Sequence, residues 1–594
     1  YYITKENFPD GNYREDSKVF NKQGEVIGWI KSTYDGDTHI VRGSDGRQII
    51  YHSKDFACWD KLNDKSFKAI TYIARPDGPP INYSYHADID KCGLIKSKDL
   101  PNCRYINLEY YVKDTYNFEN KKHKIKKDDD PVFRRIRKVF TPLGTDISRH
   151  TMFKFWYNCD KEDENGILNG STEVVDALGR KRIFHYENRR LTKIEYFSDG
   201  NKLEFSDVIE WGHPKSTENA NLKKRTLKNT SGTSWIKRSI DYDAKHNPIR
   251  DTVYGNWRGF GCSNDEGHQT NKKYSGDKFN LVISEEDEIK RVDYTYYPNC
   301  NKIASKIIRG FDGTLIRQLF EYDKNGVLSK ETIDDGENYT ERHVKKITSN
   351  MQGLPIEVAD YYIEDGQEIL KKKEINYYSP IGNLIKHEIY DNQNVLASSE
   401  EWDYDSMGNV VFEKNSMGAI TQKEYDFNGN LIKKEGPLPS QIELYTYDFM
   451  NRLIKFEERL GDQILVTQYG YDLCGNRIYQ IDPLGFKTEY YYNYRNQKIK
   501  TVHPDGTAIC NEYDLFGNCC KEIDGEGNVT KRSFTITGKS YHDIFPDGAE
   551  EKSNYDFKGN LVKRIHKNGL VTNYERDSLG RILTTKNESN QILT

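Results

Sequence analysis

Carboxylates are the most abundant reactive groups in this chain, 92 Asp and Glu against 88 Lys and Arg, so acidic turns are the first place to look for chemistry. Asp426, Asp472, Asp514 and Asp556 each open a short Asp-x-x-Gly-Asn segment. Oxygen-rich turns of this kind could hold calcium, but the known repetitive sites are exacting. A calcium β-helix needs stacked GGxGxDxUx units, and an EF-hand needs DxDxDG with a later bidentate Glu. Neither pattern occurs. The expected role of these Asp residues is local, because an Asp side chain readily accepts hydrogen bonds from the backbone that follows it and so fixes a turn.

Other chemistries find equally little support. Carboxylate pairs at glycosidase separation are inevitable among so many acids, and the sequence gives no pair priority. The 14 His residues are scattered without HExxH, so His185 and His542 are expected to be surface or packed residues. Cys262 lies in GFGCSNDEG (259–267) with no nearby His to activate it, which points to a loop. GxSxG and GxxxxGK[ST] are absent. Ten Cys residues include no CxxC pair, and adjacent Cys519 and Cys520 would point to opposite faces of a strand. Unlinked thiols, no metal, no cofactor and no catalytic centre are therefore expected.

Two features could serve binding. The run ENKKHKIKKDDDPVFRRIRK (119–138) could touch a polyanion, but it is one patch on a chain of net charge -4, and a solvated loop between strands is the favoured reading. No nucleic-acid surface is expected. The 43 Tyr residues could form platforms for glycans, whereas packing between neighbouring strands would use the same rings structurally.

The elements that must carry these residues announce themselves by period. With Tyr of each Tyr-Asp pair set at zero, the zero positions are Tyr404, Tyr425, Tyr447, Tyr471, Tyr492, Tyr513, Phe534, Tyr555 and Arg576, separated by 21, 22, 24, 21, 21, 21, 21 and 21 residues. The pairs themselves are completed by Asp405, Asp426, Asp448, Asp472, Asp514 and Asp556. Gly recurs at plus four (Gly408, Gly429, Gly475, Gly517, Gly538, Gly559 and Gly580) and at plus fourteen (Gly418, Gly461, Gly485, Gly506, Gly527, Gly548 and Gly569). Between these turn marks lie short alternating segments such as KTEYYY (487–492), too short for helices. One repeat is thus two strands and two turns, and a single hairpin becomes stable by laying its strands against the next.

Composition agrees. Only 36% of residues are hydrophobic while 13% are aromatic, and mean hydropathy is -0.87. A thin sheet wetted on both sides suits rings with an apolar body and a hydroxyl tip. No run reaches the roughly 20 apolar residues of a spanning helix, so no membrane-spanning segment is expected. The start YYITKENFPDGNYRED has neither an initiating Met nor a signal-peptide pattern, and the chain is read as a fragment of a longer protein.

Upstream the period weakens. Residues 171–400 carry irregular repeats with inserted loops, 401–594 regular ones, and 1–170 form a diverged β-rich segment whose least repeat-like part is 86–170. The YDxxGN turns followed by DPLG-like turns resemble the Rhs or YD-repeat family of bacterial toxin systems, whose relatives include the shell region of teneurins. The resemblance is specific over 401–594, fair over 171–400 and thin before that. It implies an all-β fold, a repetitive β-hairpin ribbon spiralling into part of a hollow shell. In bacterial members such a shell encloses a C-terminal toxin, and a core segment with self-cleaving carboxylates follows the repeats. No DPxG…RYYDPxxGRF segment occurs here, so toxin and cleavage activities are not carried over to these residues. The partner the resemblance implies is a cis C-terminal toxin or cargo outside this chain. A secretion apparatus or surface glycans are further partners, in a secreted or cell-surface setting. The competing function is an adhesion or glycan-binding module built from the same repeats.

Overall fold

The computed structural model describes strands from Lys5 onward, with side chains at residues 38, 50–54, 69–74, 80–86, 94–100, 105–112, 135–141 and 152–158 and, apart from short gaps, over 169–592. Forty-seven strands form one sheet, and each pairs antiparallel with the next in sequence. Strand Gln463–Tyr471 pairs with Arg477–Ile481, that with Lys487–Tyr492, and that with Lys498–Val502. The sheet runs without a break past residues 170 and 400. The basic run 119–138 falls mostly outside the described residues.

The repeat register has a backbone counterpart. At all nine zero positions, from Tyr404 to Arg576, the strand pairing shifts by a β-bulge. A bulge disrupts the ladder locally and sharpens the twist, so a bulge in every repeat bends the ribbon continuously. The turns after it close on glycines at positive φ, such as Gly475 at 90° and Gly485 at 86°, where an L side chain would be strained.

The wall is one layer thick. Its accessible surface is 34911 Å², whereas a compact chain of 69.4 kDa would expose about 22,000 Å². Among the described residues, buried apolar side chains (Tyr110, Tyr111, Phe140, Phe205, Ile240, Val292, Val344 and Ala359) all lie before residue 360. In the last third the buried side chains are polar, among them Thr535, Ser553, Asp577 and Ser578.

Those four lie where the ribbon meets itself. The end of the eleventh strand touches the connection after the thirty-fourth, through Thr141 and Met450. The connection after the thirteenth touches that after the thirty-sixth, through Arg180 and Cys474. The connection after the nineteenth touches that after the forty-second, through Asn256 and Ile536. The connection after the twenty-third touches that after the forty-sixth, through Asp312 and Ser578. The offset is twenty-three strands each time, although inserted loops make the residue count vary. At about 4.8 Å per strand this is a circumference of roughly 110 Å, a midplane radius near 18 Å and a bore of about 13 Å radius after half a sheet thickness. The ribbon is a wound wall.

The seam between windings as candidate functional site

The Asp turns are built as the sequence suggests they should be. In the Asp472 turn, Oδ1 accepts the N–H groups of Cys474 (2.9 Å) and Asn476 (2.8 Å), and Oδ2 accepts Asn476 Nδ2 (2.7 Å). The N–H of Gly475 donates to the Asp472 carbonyl. Asp405, Asp426, Asp514 and Asp556 repeat all three side-chain bonds. At Asp448 and Asp577, Arg452 and Arg581 take the place of the Asn. With both oxygens engaged inside the turn, these carboxylates serve backbone order. Among the described residues no group of three or more His, Cys, Asp and Glu could hold a metal ion.

The zero tyrosines form a ladder of another kind than ring stacking. Tyr471 Oη donates to the carbonyl of Leu453, Tyr492 to that of Arg477, Tyr513 to that of Lys498 and Tyr555 to that of Ser540. Tyr404 and Tyr447 do the same toward Leu384 and Leu431. Each acceptor is the residue paired with the zero residue of the previous repeat, for example Arg477 with Tyr471 and Lys498 with Tyr492. The hydroxyl therefore supplies a donor beside each bulge. Arg576, at the register position without a phenol, makes the equivalent bond from Nε to the carbonyl of Leu561 at 3.0 Å. Burial pushes the phenol pKa up at Tyr404, Tyr447, Tyr471, Tyr492, Tyr513 and Tyr555, which keeps the donors protonated. No ring pair joins one of these tyrosines to another among the described residues, so cross-strand aromatic pairing is replaced by hydroxyl-to-backbone rungs.

Because twenty-three is odd, the winding step brings opposite edges of the ribbon together. The edge bearing the Tyr-Asp turns of the later winding meets the other edge of the earlier one. The turns at Asp472, Asp514 and Asp556, and those at Asn493, Thr535 and Asp577, all lie along it. The turns at Asp405 and Asp426, with Gly408 and Gly429, lie along the same edge. The plus-fourteen glycines Gly418, Gly461, Gly485, Gly527 and Gly569 lie on the far edge, away from this seam.

The firmest part of the seam is the loop 255–266. The N–H of Ile536 donates to Asn256 O (2.9 Å), that of Tyr555 to Arg258 O (2.9 Å), and that of Phe260 to Ser553 O (3.2 Å). Asn554 Nδ2 reaches Phe260 O at 2.8 Å. Inside the loop, Asn256 Oδ1 accepts Gly259 N–H and its Nδ2 donates to Gly259 O. Rings complete the closure. His268 stacks on Phe557 with centroids 5.1 Å apart, Trp257 packs on both, and Phe260 meets His542 edge to face. Close approach explains the glycines: a Cβ on Gly255 would lie 2.3 Å from Ile536 Cγ2, and one on Gly259 2.6 Å from Ser553 O. Cys262, in the same loop, has its thiol against Phe260 O and Asn554 Nδ2.

Charge continues the seam on either side. Asp312 Oδ2 accepts the N–H of Ser578 at 2.6 Å. The N–H of Thr314 does most to hold the Asp312 carboxyl well below the usual range; desolvation opposes it, and the Thr314 hydroxyl and then the N–H of Ser578 add to the lowering. Lys558 donates to Ser578 O at 2.7 Å; burial first, and Lys290 across the seam second, push its pKa down. Arg180, held to Asp176 by a 2.6 Å bond, reaches Asn496 Oδ1 (2.6 Å) and Cys474 Sγ (2.8 Å) on the later winding. Sequence reasoning found the turns of this seam and missed its partners. The available signal was the long interval between Tyr242 and Tyr274, which contains the loop.

Fold and seam define a class: a single-layer, serially paired β-ribbon wound into a wall, as the resemblance to YD-repeat proteins implies. No protein-family model and no curated protein matches this chain. Among solved structures it is similar to the Tc holotoxin pore of Photorhabdus luminescens carrying a TccC3 mutation, at 12% identity and a TM-score of 0.49 over 96% of this chain and 32% of that one. It is also similar to TcdB2-TccC3-Cdc42, at 10% identity and a TM-score of 0.40 over 96% and 30% of the two chains. A third is TcdB2-TccC3, at 10% identity and a TM-score of 0.32 over 99% and 39%. The chain thus spans about a third of the length of these chains.

Proposed function

We propose that this chain is a noncatalytic wall segment of a YD-repeat shell, which encloses a C-terminal toxin or other cargo of the same protein until delivery. The observation that carries the reading is the recurring offset between touching segments, twenty-three strands at most contacts and twenty-five at Arg180–Asn496 and Phe260–Ser553. An adhesive ribbon needs only an exposed face, whereas a container needs successive windings sealed edge to edge. The seam provides that seal with backbone hydrogen bonds between turns and loops of the two windings. A bore of about 13 Å radius is narrow beside a folded domain of 100 residues, whose radius of gyration alone is about 13 Å, so this section suits a small or extended cargo. No helix among the described residues is long and apolar enough to cross a membrane; a secreted or cell-surface protein is the setting proposed.

The test is limited proteolysis of the full-length protein, with mass mapping of the chain outside residues 1–594. Survival of that chain while the wall is intact, and its digestion once the wall is unfolded, is the expected result. Cleavage as fast as that of any exposed tail contradicts enclosure and favours adhesion.

A further inference from the structure

Where the seam meets strands Arg149–Cys159, Gly170–Asp176 and Lys181–Glu187, one face of the sheet carries a half-open cavity of about 440 Å³. Register puts its apolar lining on that face. Phe155 pairs with Val174 and Val174 with Arg182, so these three side chains stand in a row across the strands. Phe153 and Phe184 lie two residues from Phe155 and Arg182 on the two flanking strands and therefore share their face. The rings of Phe153 and Phe155 have centroids 6.4 Å apart. Val174 is the short side chain among the rings and makes the floor of the depression. Phe153 is 41% exposed, an apolar surface that the fold does not cover.

The cavity holds one uncompensated charge. Arg182 lies over the Tyr196 ring at 5.8 Å, and Tyr196 is its strand partner on the side away from Val174. Among the described residues Arg182 has no carboxylate partner and gives none of its N–H groups to an acceptor. Stacking holds a guanidinium by its face and leaves the edge N–H groups for a ligand. Asp176, also at the cavity, is engaged elsewhere. Its Oδ1 accepts the N–H groups of Leu178 and Arg180, both at 3.0 Å, and its Oδ2 accepts Arg180 Nε at 2.6 Å. The later winding closes one side, where Arg180 reaches Asn496 and Cys474. The site is therefore complete only when the ribbon is wound.

A mostly apolar depression of this volume with one placed cation has the make-up of a small-molecule site. We propose that it binds a small amphipathic carboxylate, with the apolar body on Phe153, Phe155, Val174 and Phe184 and the carboxylate on Arg182. A carboxylate matches the planar guanidinium fork with two parallel hydrogen bonds. Covering rings that water now wets supplies the remaining drive. An inorganic anion would leave those rings wet, and a neutral apolar body would leave Arg182 uncompensated. Because the later winding supplies one wall, bound ligand shifts the equilibrium toward the wound form.

The test is calorimetric titration of the 594-residue chain with naphthoate and with its uncharged amide, naphthamide, paired with the thermal midpoint in each. One saturable site for naphthoate and a raised midpoint are expected. Naphthamide should bind roughly tenfold or more weakly, the loss expected when hydrogen bonds to a charged group are weakened. R182Q should bring naphthoate down to the level of naphthamide and leave naphthamide unchanged, which general damage to the wall would not do. V174F fills the floor and should abolish binding of both. K181Q, on the opposite face over the Phe197 ring, should alter neither. Comparing the two probes on the wild-type chain needs no variant, so the test stands even if a variant fails to fold. Absence of saturable naphthoate binding, equal affinity for the two probes, or wild-type affinity for naphthoate in R182Q overturns the proposal.

Discussion

The amide of Tyr555 donates to the carbonyl of Arg258 at 2.9 Å, so a residue that marks the repeat register also joins two windings of the ribbon. Its hydroxyl bonds the preceding repeat through Ser540, and its backbone bonds the preceding winding. One position thus serves both directions of growth, along the ribbon and across the seam.

Filling the close approaches should loosen the seam. Gly259→Ala places a methyl group against Ser553 O at a φ of 97°, and Gly255→Ala places one against Ile536. Overpacking of this kind costs about 1 to 3 kcal/mol. Where cleavage follows the open population, protease cutting within 255–266 should speed up roughly 5- to 150-fold. Unchanged cutting would show that the loop is not clamped.

Removing one rung should cost little, and removing several should cost much. Tyr513→Phe deletes a single hydroxyl bond, about 0.5 to 1.5 kcal/mol. Changing Tyr471, Tyr513 and Tyr555 together to Ser removes rings as well as rungs and should lower the thermal midpoint markedly. Phe534→Tyr should add the missing rung toward the carbonyl of Cys519, the residue paired with Tyr513, and raise the midpoint. A triple variant with an unchanged midpoint would reject the ladder.

The turn carboxylates should matter by acceptor geometry. Asp514→Ala leaves the N–H groups of Phe516 and Asn518 and the Asn518 amide without their acceptor, a loss of about 1 to 3 kcal/mol in chemical denaturation. Asp514→Asn keeps one carbonyl oxygen and should lose less. Calcium should not alter either midpoint; a calcium-dependent rise would restore the metal reading of these turns.

Acid should weaken the seam at Asp312. A carboxyl whose pKa is depressed in the folded state stabilises fully above its ordinary value, near 4, and that contribution is lost as pH falls from there toward the lower folded value. Protection of the Ser578 amide should therefore fall below about pH 4 in wild type, while D312N should show a weaker bond at every pH and no such step. Identical acid profiles for the two proteins would remove Asp312 from the seam.

Register was legible because it is local. Asp472, Gly475 and Asn476 form their turn from contacts within five residues, and even Arg576, which carries no Tyr, keeps both the bulge and the bond to the preceding repeat. Residues 259–263 of GFGCSNDEG lie in the 255–266 loop, where a loop was expected, and its last residue opens strand Gly267–Tyr274. The seam was illegible for a geometric reason. Asn256 and Ile536 meet only because the bending of all the intervening strands adds up to one full winding, and no motif in either segment encodes that sum. Stacking between tyrosines was the expectation least suited to the backbone, since each bulge offers a carbonyl that a phenol can reach and a ring cannot bond.

Hydrogen exchange of three amides tests the wound wall most directly. Ile536, Tyr555 and Phe260 donate to carbonyls of the other winding, and in an open ribbon those N–H groups would lie at turns and edges facing water. Protection comparable to that of amides inside strand Lys487–Tyr492 is the result predicted for a closed seam. Exchange at the rate of unbonded loop amides, with strand amides still protected, would mean that the ribbon is intact but does not close on itself.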